Sequence, residues 1–355
     1  MSIEDVARLT TAPGVDDLRY TFPLLQEFGK LPLVIEVMQL VAQCRIELQP
    51  FAGFVQRFTV LANLKDDKGN AINITFVFAE EEALRQQLPD IVIKLPTTLS
   101  IGNFVDLDVV KDIAYAANGC VTAFAVNVQG CFRDIRRLPS VNDLPQVCLA
   151  RSNCVVPQAV SHQVNSLVVR FDGNGRAVIF YGGHQVVEKS PTGWKIRDTS
   201  RLESHVRSLC GSKSLDTSCL LKVCSAALES IDTGRGATFV FGDAETVVGF
   251  CQLMNPNLRE VIPNTDLSSS DPTDLSAYAV PDGAVIIGND GRVQCLGMRL
   301  CPPAADVQIQ LRSHRGTRHR SVAETTAASR AIGVVVAGTD GMLTIFADGQ
   351  ALFEW

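Results

Sequence analysis

The sequence predicts an α/β protein, with a C-terminal mixed β-sheet flanked by helices and an N-terminal α/β domain before it. Amphipathic helical patterns alternate with short β-branched runs, and Gly- and Asp-rich turns join several of these runs in pairs. The length of 355 residues suits two or three domains. Hydrophobic residues make up 46% and charged residues 20% of the chain, as is typical of a packed globular protein.

Nothing in the sequence predicts a membrane segment or a secretory signal. The start, MSIEDVARLT, carries acidic residues where a signal peptide has basic ones. The most apolar long stretch, LPLVIEVMQLVAQC, contains Glu36 and has the spacing of a buried helix. We therefore expect a cytoplasmic protein.

Residues 1–155 are predicted to form the first domain, and they contain no catalytic motif. In order, its elements are a helical region at 21–50, two strands within 54–81 around the turn DDKGNA, the short helix EEALRQQLP that stops at Pro89, a helix that stops near Gly119, and a strand at about 121–128.

Residues 156–212 are predicted to form a connecting unit. Two β-branched runs joined by DGNG form a hairpin, and a further strand leads to the turn SPTGW. Trp194 is expected to pack under that turn, and a helix should close at Gly211. The hairpin is either part of this separate unit or an extension of the C-terminal sheet.

Residues 213–355 are predicted to form the second domain. Its elements, in order, are an amphipathic helix with Asp216 or Thr217 as N-cap, the strand GATFVFGD, a short helix in DPTDLSAYAV, a hairpin turning at NDG, the helix in GTRHRSVAETTAAS, and a strand meander from AIGVVVAG to the end.

The eleven cysteines do not predict a metal or disulfide framework. None of them forms a C-x-x-C pair, and most lie in apolar runs. We expect reduced thiols that act as small core residues.

A compact basic cluster near the C-terminus stands out because the chain has a net charge of -6. The segment SHRGTRHRSV places His314, Arg315, Arg318, His319 and Arg320 just before a helical pattern. Acidic residues are normally favoured in the first turn of a helix, so this arrangement suits a bound anion. Arginine matches phosphate oxygens, and polyphosphate is the natural candidate. Thr317 is a candidate N-cap, and Gly316 allows close backbone approach.

A second motif lies upstream, in VPDGAVIIG. Asp282 precedes Gly283 and an apolar strand, where a carboxylate can bind a divalent metal or orient a hydroxyl. The same two residues also form an ordinary turn signal, and D-G occurs at several other positions in this chain.

Taken together, DGA at the start of a strand and GTRHR at the start of a helix resemble the diadenylate cyclase (DAC) family. The resemblance extends from LLKVCSAALESIDTGRGATFVFGD to RSVAETTAASRAIGVVVAG and covers roughly Leu215 to Trp355. It implies synthesis of cyclic di-AMP and pyrophosphate from two ATP molecules, each held by one DAC domain of a face-to-face pair. It further implies Mn²⁺ or Mg²⁺ as cofactor and a homodimer or higher homo-oligomer.

By this resemblance, the DGA motif takes specific roles. Asp282 would bind the metal and help to activate the 3′-hydroxyl, which makes it a catalytic and metal residue. Gly283 and Ala284 would lie under the ATP, where a larger side chain would clash. Leu300 would contact adenine.

The second motif would hold the polyphosphate. Thr317, Arg318, His319 and Arg320 would bind it, with Arg318 counted as catalytic, and Gly316 would permit backbone approach. Two roles remain open for His319: it binds the phosphate directly, or it is buried and orients the arginines. Arg320 either binds the polyphosphate or has a mainly structural role. His314 and Arg315 lie outside the matched motif and are expected to form a solvated rim.

Two features depart from the family pattern. Pro281 stands where many members have histidine, and AGTD at 337–340 stands where many have serine or an acidic residue. Thr339 or Asp340 is the candidate substitute. These departures leave a catalytically silent regulator that binds ATP or cyclic di-AMP as the alternative function.

Other partners and functions are less favoured. A hydrolase that uses His314 and His319 is disfavoured because no acid accompanies them at metal-ligand spacing. The acidic first 210 residues argue against nucleic-acid binding, and we expect a sensor or assembly domain there.

Overall fold

The structure is a computed structural model. It describes residues 18–117, 121–143, 149–190, 193–232, 234–254, 266–267, 272–279, 283–303, 316–337 and 341–355. The chain divides into two compact units, one of residues 1–147 and 153–200 and the other of residues 148–152 and 201–355.

The first unit is an eight-stranded mixed sheet with helices on both faces. Its helices are α1 (Leu18–Phe28), α2 (Leu31–Gln43), α3 (Leu48–Val55), α4 (Phe58–Ala62), α5 (Glu81–Gln87), α6 (Phe104–Ile113) and α7 (Val155–Gln163). Its strands are β1 (Ile74–Phe78), β2 (Ile91–Ser100), β3 (Thr122–Val126), β4 (Cys131–Arg137), β5 (Leu167–Phe171), β6 (Ala177–Tyr181), β7 (His184–Ser190) and β8 (Gly193–Ile196).

The strand order of this sheet is β2-β4-β3-β1-β5-β6-β7-β8, and only β1 and β3 pair in parallel. Alternate residues of a strand face opposite sides. Accordingly, Phe76 and Phe78 join the core under α1–α4, whereas Val77 joins a second core with Leu84 and Val160 of α5 and α7.

One prediction for this unit is wrong, and one of the two alternatives for the hairpin is excluded. The first of the two strands expected within 54–81 is helical, because Phe51, Phe54, Phe58 and Leu61 recur at helical spacing and all are buried in one core. The hairpin at β5–β6 does not extend the C-terminal sheet, since β5 pairs with β1 along its whole length. Trp194 packs as expected, with its ring 4.7 Å from that of Phe28 and its indole N–H donated to Glu27.

The second unit is a seven-stranded mixed sheet flanked by helices, which confirms the predicted fold class. Its helices are α8 (Thr199–Lys213), α9 (Thr217–Asp232), α10 (Ala244–Gly249), α11 (Pro272–Ala277) and α12 (Thr317–Ser329). Its strands are β9 (Ala237–Gly242), β10 (Cys251–Leu253), β11 (Ala284–Gly288), β12 (Val293–Leu300), β13 (Ile332–Ala337), β14 (Met342–Ala347) and β15 (Gln350–Glu354).

The strand order is β10-β12-β11-β9-β13-β14-β15, with β9 and β11 parallel and the other pairs antiparallel. Helices α8 and α9 pack on the face that carries Phe239 and Phe241. Residues of the opposite face, such as Val240 and Val335, pack with α10 and α12.

Two helix ends in this unit bear on the predictions. Helix α8 continues through Gly211 to Lys213, and Ser214 then takes a left-handed φ of 55°. The chain therefore turns three residues later than predicted. Asp216 is the cap of α9, because its carboxylate accepts hydrogen bonds from the amides of Ser218 and Cys219.

The described cysteines are free thiols. Burial raises the pKa of the Cys44 and Cys251 thiols to about 12, and for Cys251 the nearby Cys295 and Cys301 add to this rise. In the described ranges, no helix has both the length and the apolar character needed to cross a bilayer.

Candidate functional site

Several chain segments meet at one end of the C-terminal sheet. The parallel register of β9 and β11, with Val285 opposite Phe239, puts the starts of both strands at this end. Antiparallel pairing of β13 with β9, with Val336 opposite Ala237, brings the end of β13 to the same place. Gly236 and Gly283, which directly precede β9 and β11, therefore lie at this end of the sheet.

The N-terminus of α12 is capped by a glycine. Gly316 is the N-cap, with φ of −79° and ψ of −179°, and it makes no side-chain cap hydrogen bond. Thr317 is the first helical residue, so its prediction as N-cap is wrong. The first intrahelical bond runs from the Arg320 amide to the Gly316 carbonyl. Helix geometry directs the amides of the first turn beyond the helix start, where an anion binds.

Arg318 extends from this first turn to the end of the sheet. A β-carbon placed on Gly236 would overlap Nη1 of Arg318 and lie 3.2 Å from its Cζ and 3.3 Å from the carbonyl oxygen of Val336. The guanidinium thus lies against the main chain at the start of β9, beside the end of β13. A cation at this position faces the same region as the starts of β9 and β11.

The two residues after Arg318 have different surroundings. His319 is 7% exposed, and its ring centroid lies 6.0 Å from that of Phe346 on β14. Arg320 has an exposed side chain and donates from Nε to Glu324 at 2.9 Å. Because successive helical residues are about 100° apart around the axis, the three basic side chains reach three separate environments.

Gly283 and Ala284 are packed inside the domain. A β-carbon on Gly283 would overlap Cα of Gly297 in β12. Ala284 is 2% exposed and packs with Val240 and Met298. Both positions therefore need small residues for packing within the protein, apart from any clash with ATP.

Leu300 ends β12 and is partly buried between two apolar clusters. One cluster includes Val247 of α10, and the other includes Val322 of α12. The side chain thus lies between these two helices on the face that carries α12. On the same face, burial raises the pKa of Cys295. A thiol in this state stays protonated near neutral pH and is a poor nucleophile.

Part of the predicted site lies outside the described residues. This applies to Asp282, His314, Arg315 and the AGTD segment from Gly338 to Asp340. Within the ranges that the structure describes, no three His, Cys, Asp or Glu side chains gather as metal ligands. The Arg318 guanidinium and the first-turn amides of α12 at this end of the sheet are groups that bind phosphate oxygens.

The comparison with protein families bears directly on this unit. The family model DAC, described as "DisA bacterial checkpoint controller nucleotide-binding", matches residues 225–351. This part of the chain is a DAC domain. The match contains the start of β9, the β11–β12 hairpin and all of α12, so the described parts of the candidate site lie within the DAC domain.

Solved structures similar to the chain include two bacterial proteins. A hypothetical membrane spanning protein from Bacillus cereus is 21% identical, with 37% of this chain and 59% of that chain covered and a TM-score of 0.29. A double mutant of DacA from Staphylococcus aureus is 20% identical, with 37% and 82% covered and a TM-score of 0.29. These scores are too low to establish a shared fold. The present chain spans 59% of the first of these structures. No curated protein matches the chain.

Sequence reasoning missed Gly236 as part of this site. In the sequence, it is a glycine before a β-branched strand, and such glycines are common at strand starts. Its contact with Arg318, 82 positions later, exists only in the folded DAC domain.

Proposed function

We propose that this protein is a diadenylate cyclase, which condenses two ATP molecules into cyclic di-AMP and two pyrophosphate ions. The observation that carries the proposal is the meeting of the Arg318 guanidinium, the glycine-capped start of α12 and the starts of β9 and β11 within a DAC domain. Backbone amides and an arginine fork at one place form a site for several phosphate oxygens.

The reaction joins two nucleotides through phosphorus. The 3′-hydroxyl oxygen of each ATP bonds to the α-phosphorus of the other. The bond from that phosphorus to the oxygen bridging the β-phosphate breaks, pyrophosphate leaves, and the hydroxyl proton is released. Two ATP thus yield cyclic di-AMP, two pyrophosphates and two protons. Each domain holds one ATP, so the active form is a face-to-face homodimer or part of a higher homo-oligomer.

The chain contributes positioning and charge. Arg318 and the first-turn amides of α12 bind the triphosphate and stabilise the negative charge that grows on the leaving pyrophosphate. Gly316 lets phosphate approach the backbone, and Leu300 contacts adenine. His319 holds the start of α12 against the sheet, because it is buried beside Phe346. Arg320 acts at the rim of the site.

Asp282 is proposed to hold a Mn²⁺ or Mg²⁺ ion together with phosphate oxygens and to help activate the 3′-hydroxyl. A bound divalent ion neutralises phosphate charge. The first unit, which has its own core, is proposed as a sensor or assembly domain.

Product formation tests the proposal. The full-length protein is incubated with ATP and Mn²⁺ or Mg²⁺, and cyclic di-AMP is sought by mass spectrometry. Asp282→Asn and Arg318→Ala are the test variants. Arg207→Ala is the matched control, because Arg207 is an exposed arginine of α8 that pairs with Glu203. We expect product from the wild type and the control and at least a hundredfold less, roughly, from both test variants.

The contrary results are specific. ATP binding without product would favour the silent regulator or a cyclase held inactive by the first unit. A fragment that separates these two must include α8, since Leu202, Val206 and Leu209 belong to the core of the second unit. A start at Leu215 would remove that helix.

A further inference from the structure

Gly236 differs from the other glycines of the candidate site in what surrounds it. Around Gly316, a β-carbon would meet no atom of the described part of the chain within 4 Å. Around Gly283, it would meet the main chain of β12. At Gly236, the first two atoms that it would meet are Nη1 and Cζ of Arg318. Every residue other than glycine carries a β-carbon, so the observed guanidinium position requires glycine at 236.

The backbone of Gly236 imposes no such requirement. Its φ does not lie in the left-handed region, where the structure places Gly234 and Gly242. Of the three described atoms nearest to the added carbon, the main-chain one is the Val336 carbonyl oxygen, which is 3.3 Å away and needs only a small shift. A β-carbon at 236 would therefore displace the end of a flexible side chain and leave the fold in place.

We propose that Gly236 is a positioning residue for nucleotide binding. It leaves the space in which the Arg318 guanidinium is held beside the start of β9 and the end of β13, ready to bind the triphosphate of ATP. This inference rests on the proposed function and deepens it, since it assigns the position of the arginine to a residue from another element. An arginine that is already held in place loses less conformational entropy when ATP binds, which raises affinity.

A second glycine, Gly333, supports the position of Arg318 because it lies where α12 packs on the sheet. A β-carbon on this residue of β13 would overlap Cγ1 of Val322 and lie 3.3 Å from Cγ2 of Thr326. The glycine thus allows α12 to lie close to the sheet. Because α12 lies close, the side chain of Arg318 reaches the start of β9, where Gly236 leaves room for it.

A double-mutant cycle tests the proposal in the full-length protein. Gly236→Ala, Arg318→Ala and the double variant are compared with the wild type for ATP affinity by calorimetry at a fixed Mg²⁺ concentration. Gly211→Ala on α8 is the matched control, because a β-carbon there meets none of the atoms that the structure describes within 4 Å. We expect Gly236→Ala and Arg318→Ala each to weaken ATP binding by about 10- to 100-fold. The double variant should be no weaker than Arg318→Ala alone.

The position of the arginine is measured separately, without nucleotide. The Nε–Hε NMR resonance of Arg318, identified by its loss in Arg318→Ala, should shift or broaden in Gly236→Ala and stay in place in Gly211→Ala. A general structural defect would give different results. It would lower the melting temperature of Gly236→Ala, and it would weaken ATP binding further when combined with Arg318→Ala.

Each contrary outcome has one meaning. The proposal is overturned if the Arg318 resonance is unchanged in Gly236→Ala, if that variant binds ATP as the wild type does, or if it weakens Arg318→Ala further. If the wild type itself binds no ATP, the proposed function fails and the nucleotide role of Gly236 fails with it. The resonance still reports in that case whether Gly236 sets the position of Arg318.

Discussion

Gly283 packs directly against Gly297 across the β11–β12 hairpin. A β-carbon on Gly283 would overlap Cα of Gly297 and lie 2.7 Å from its carbonyl carbon and 3.1 Å from the amide nitrogen of Met298. Gly297 has a φ of 63°, and the register of the hairpin shifts between Ala284 and Ile286. The glycine of the DGA motif is thus required by main-chain packing as well as by any nucleotide above it.

Gly283→Ala should destabilise the DAC domain. No side-chain rotation relieves an overlap with main-chain atoms, so we expect the free energy of unfolding to fall by about 1–3 kcal/mol. Urea denaturation followed by circular dichroism measures the change, with Gly211→Ala as a glycine control that should not lose stability. Full stability combined with loss of ATP binding would show that the glycine serves the ligand alone.

Substitution of Gly316 should separate binding from folding. Gly316→Ser keeps a favourable N-cap, and its β-carbon meets no atom of the described residues within 4 Å. We expect the melting temperature to stay close to that of the wild type, whereas ATP affinity falls about tenfold because the serine side chain blocks the close approach of phosphate to the backbone. Calorimetry and thermal denaturation check the two parts. Unchanged ATP affinity would mean that the triphosphate does not approach this residue.

The two arginines of α12 should not contribute equally. Arg320 is exposed and pairs with Glu324 one turn away, so Arg320→Ala should change the free energy of unfolding by less than about 0.5 kcal/mol. We expect it to weaken ATP binding less than Arg318→Ala does. ATP titrations of both variants at low and high salt measure the loss of affinity. If the two variants lost the same affinity at both salt concentrations, the different placement of the two arginines would be contradicted.

Protonation of His205 should lower stability in mild acid. Burial lowers the pKa of this imidazole, whose ring lies 5.0 Å from that of Phe353 on β15. As pH falls below about 6.5, the unfolded chain takes up the proton before the folded one does. The free energy of unfolding should therefore decline from pH 7 downward, until the folded-state pKa is passed.

Melting temperatures at pH 7.5 and 5.5 test this dependence. In His205→Phe, which keeps an aromatic contact with Phe353, the difference between the two temperatures should be smaller than in the wild type. An equal difference in both proteins would assign the acid sensitivity to other groups.

The sequence predicted elements where local pattern and packing agree. The β11–β12 hairpin and the β13–β15 meander follow from short-range signals, which also narrowed the α9 cap to Asp216 or Thr217. It was wrong at 54–62, where aromatic and β-branched residues suggested a strand. In the folded protein, Phe54 packs on Phe76 and Phe58 packs on Phe171, both rings of the sheet. Burial against these rings outweighs the local β-propensity and makes the segment helical.

Two motifs, DGA and GTRHR, were enough to predict a DAC domain, since each is a local pattern that a chain carries without folding. The sequence by itself also determined the mixed α/β class, because periodicity and turn residues are local properties. Only the tertiary structure decided that Arg318, His319 and Arg320 enter three different environments. Only the fold brings Gly236 against Arg318, because that contact depends on how closely α12 packs on the sheet, which no short segment of sequence specifies.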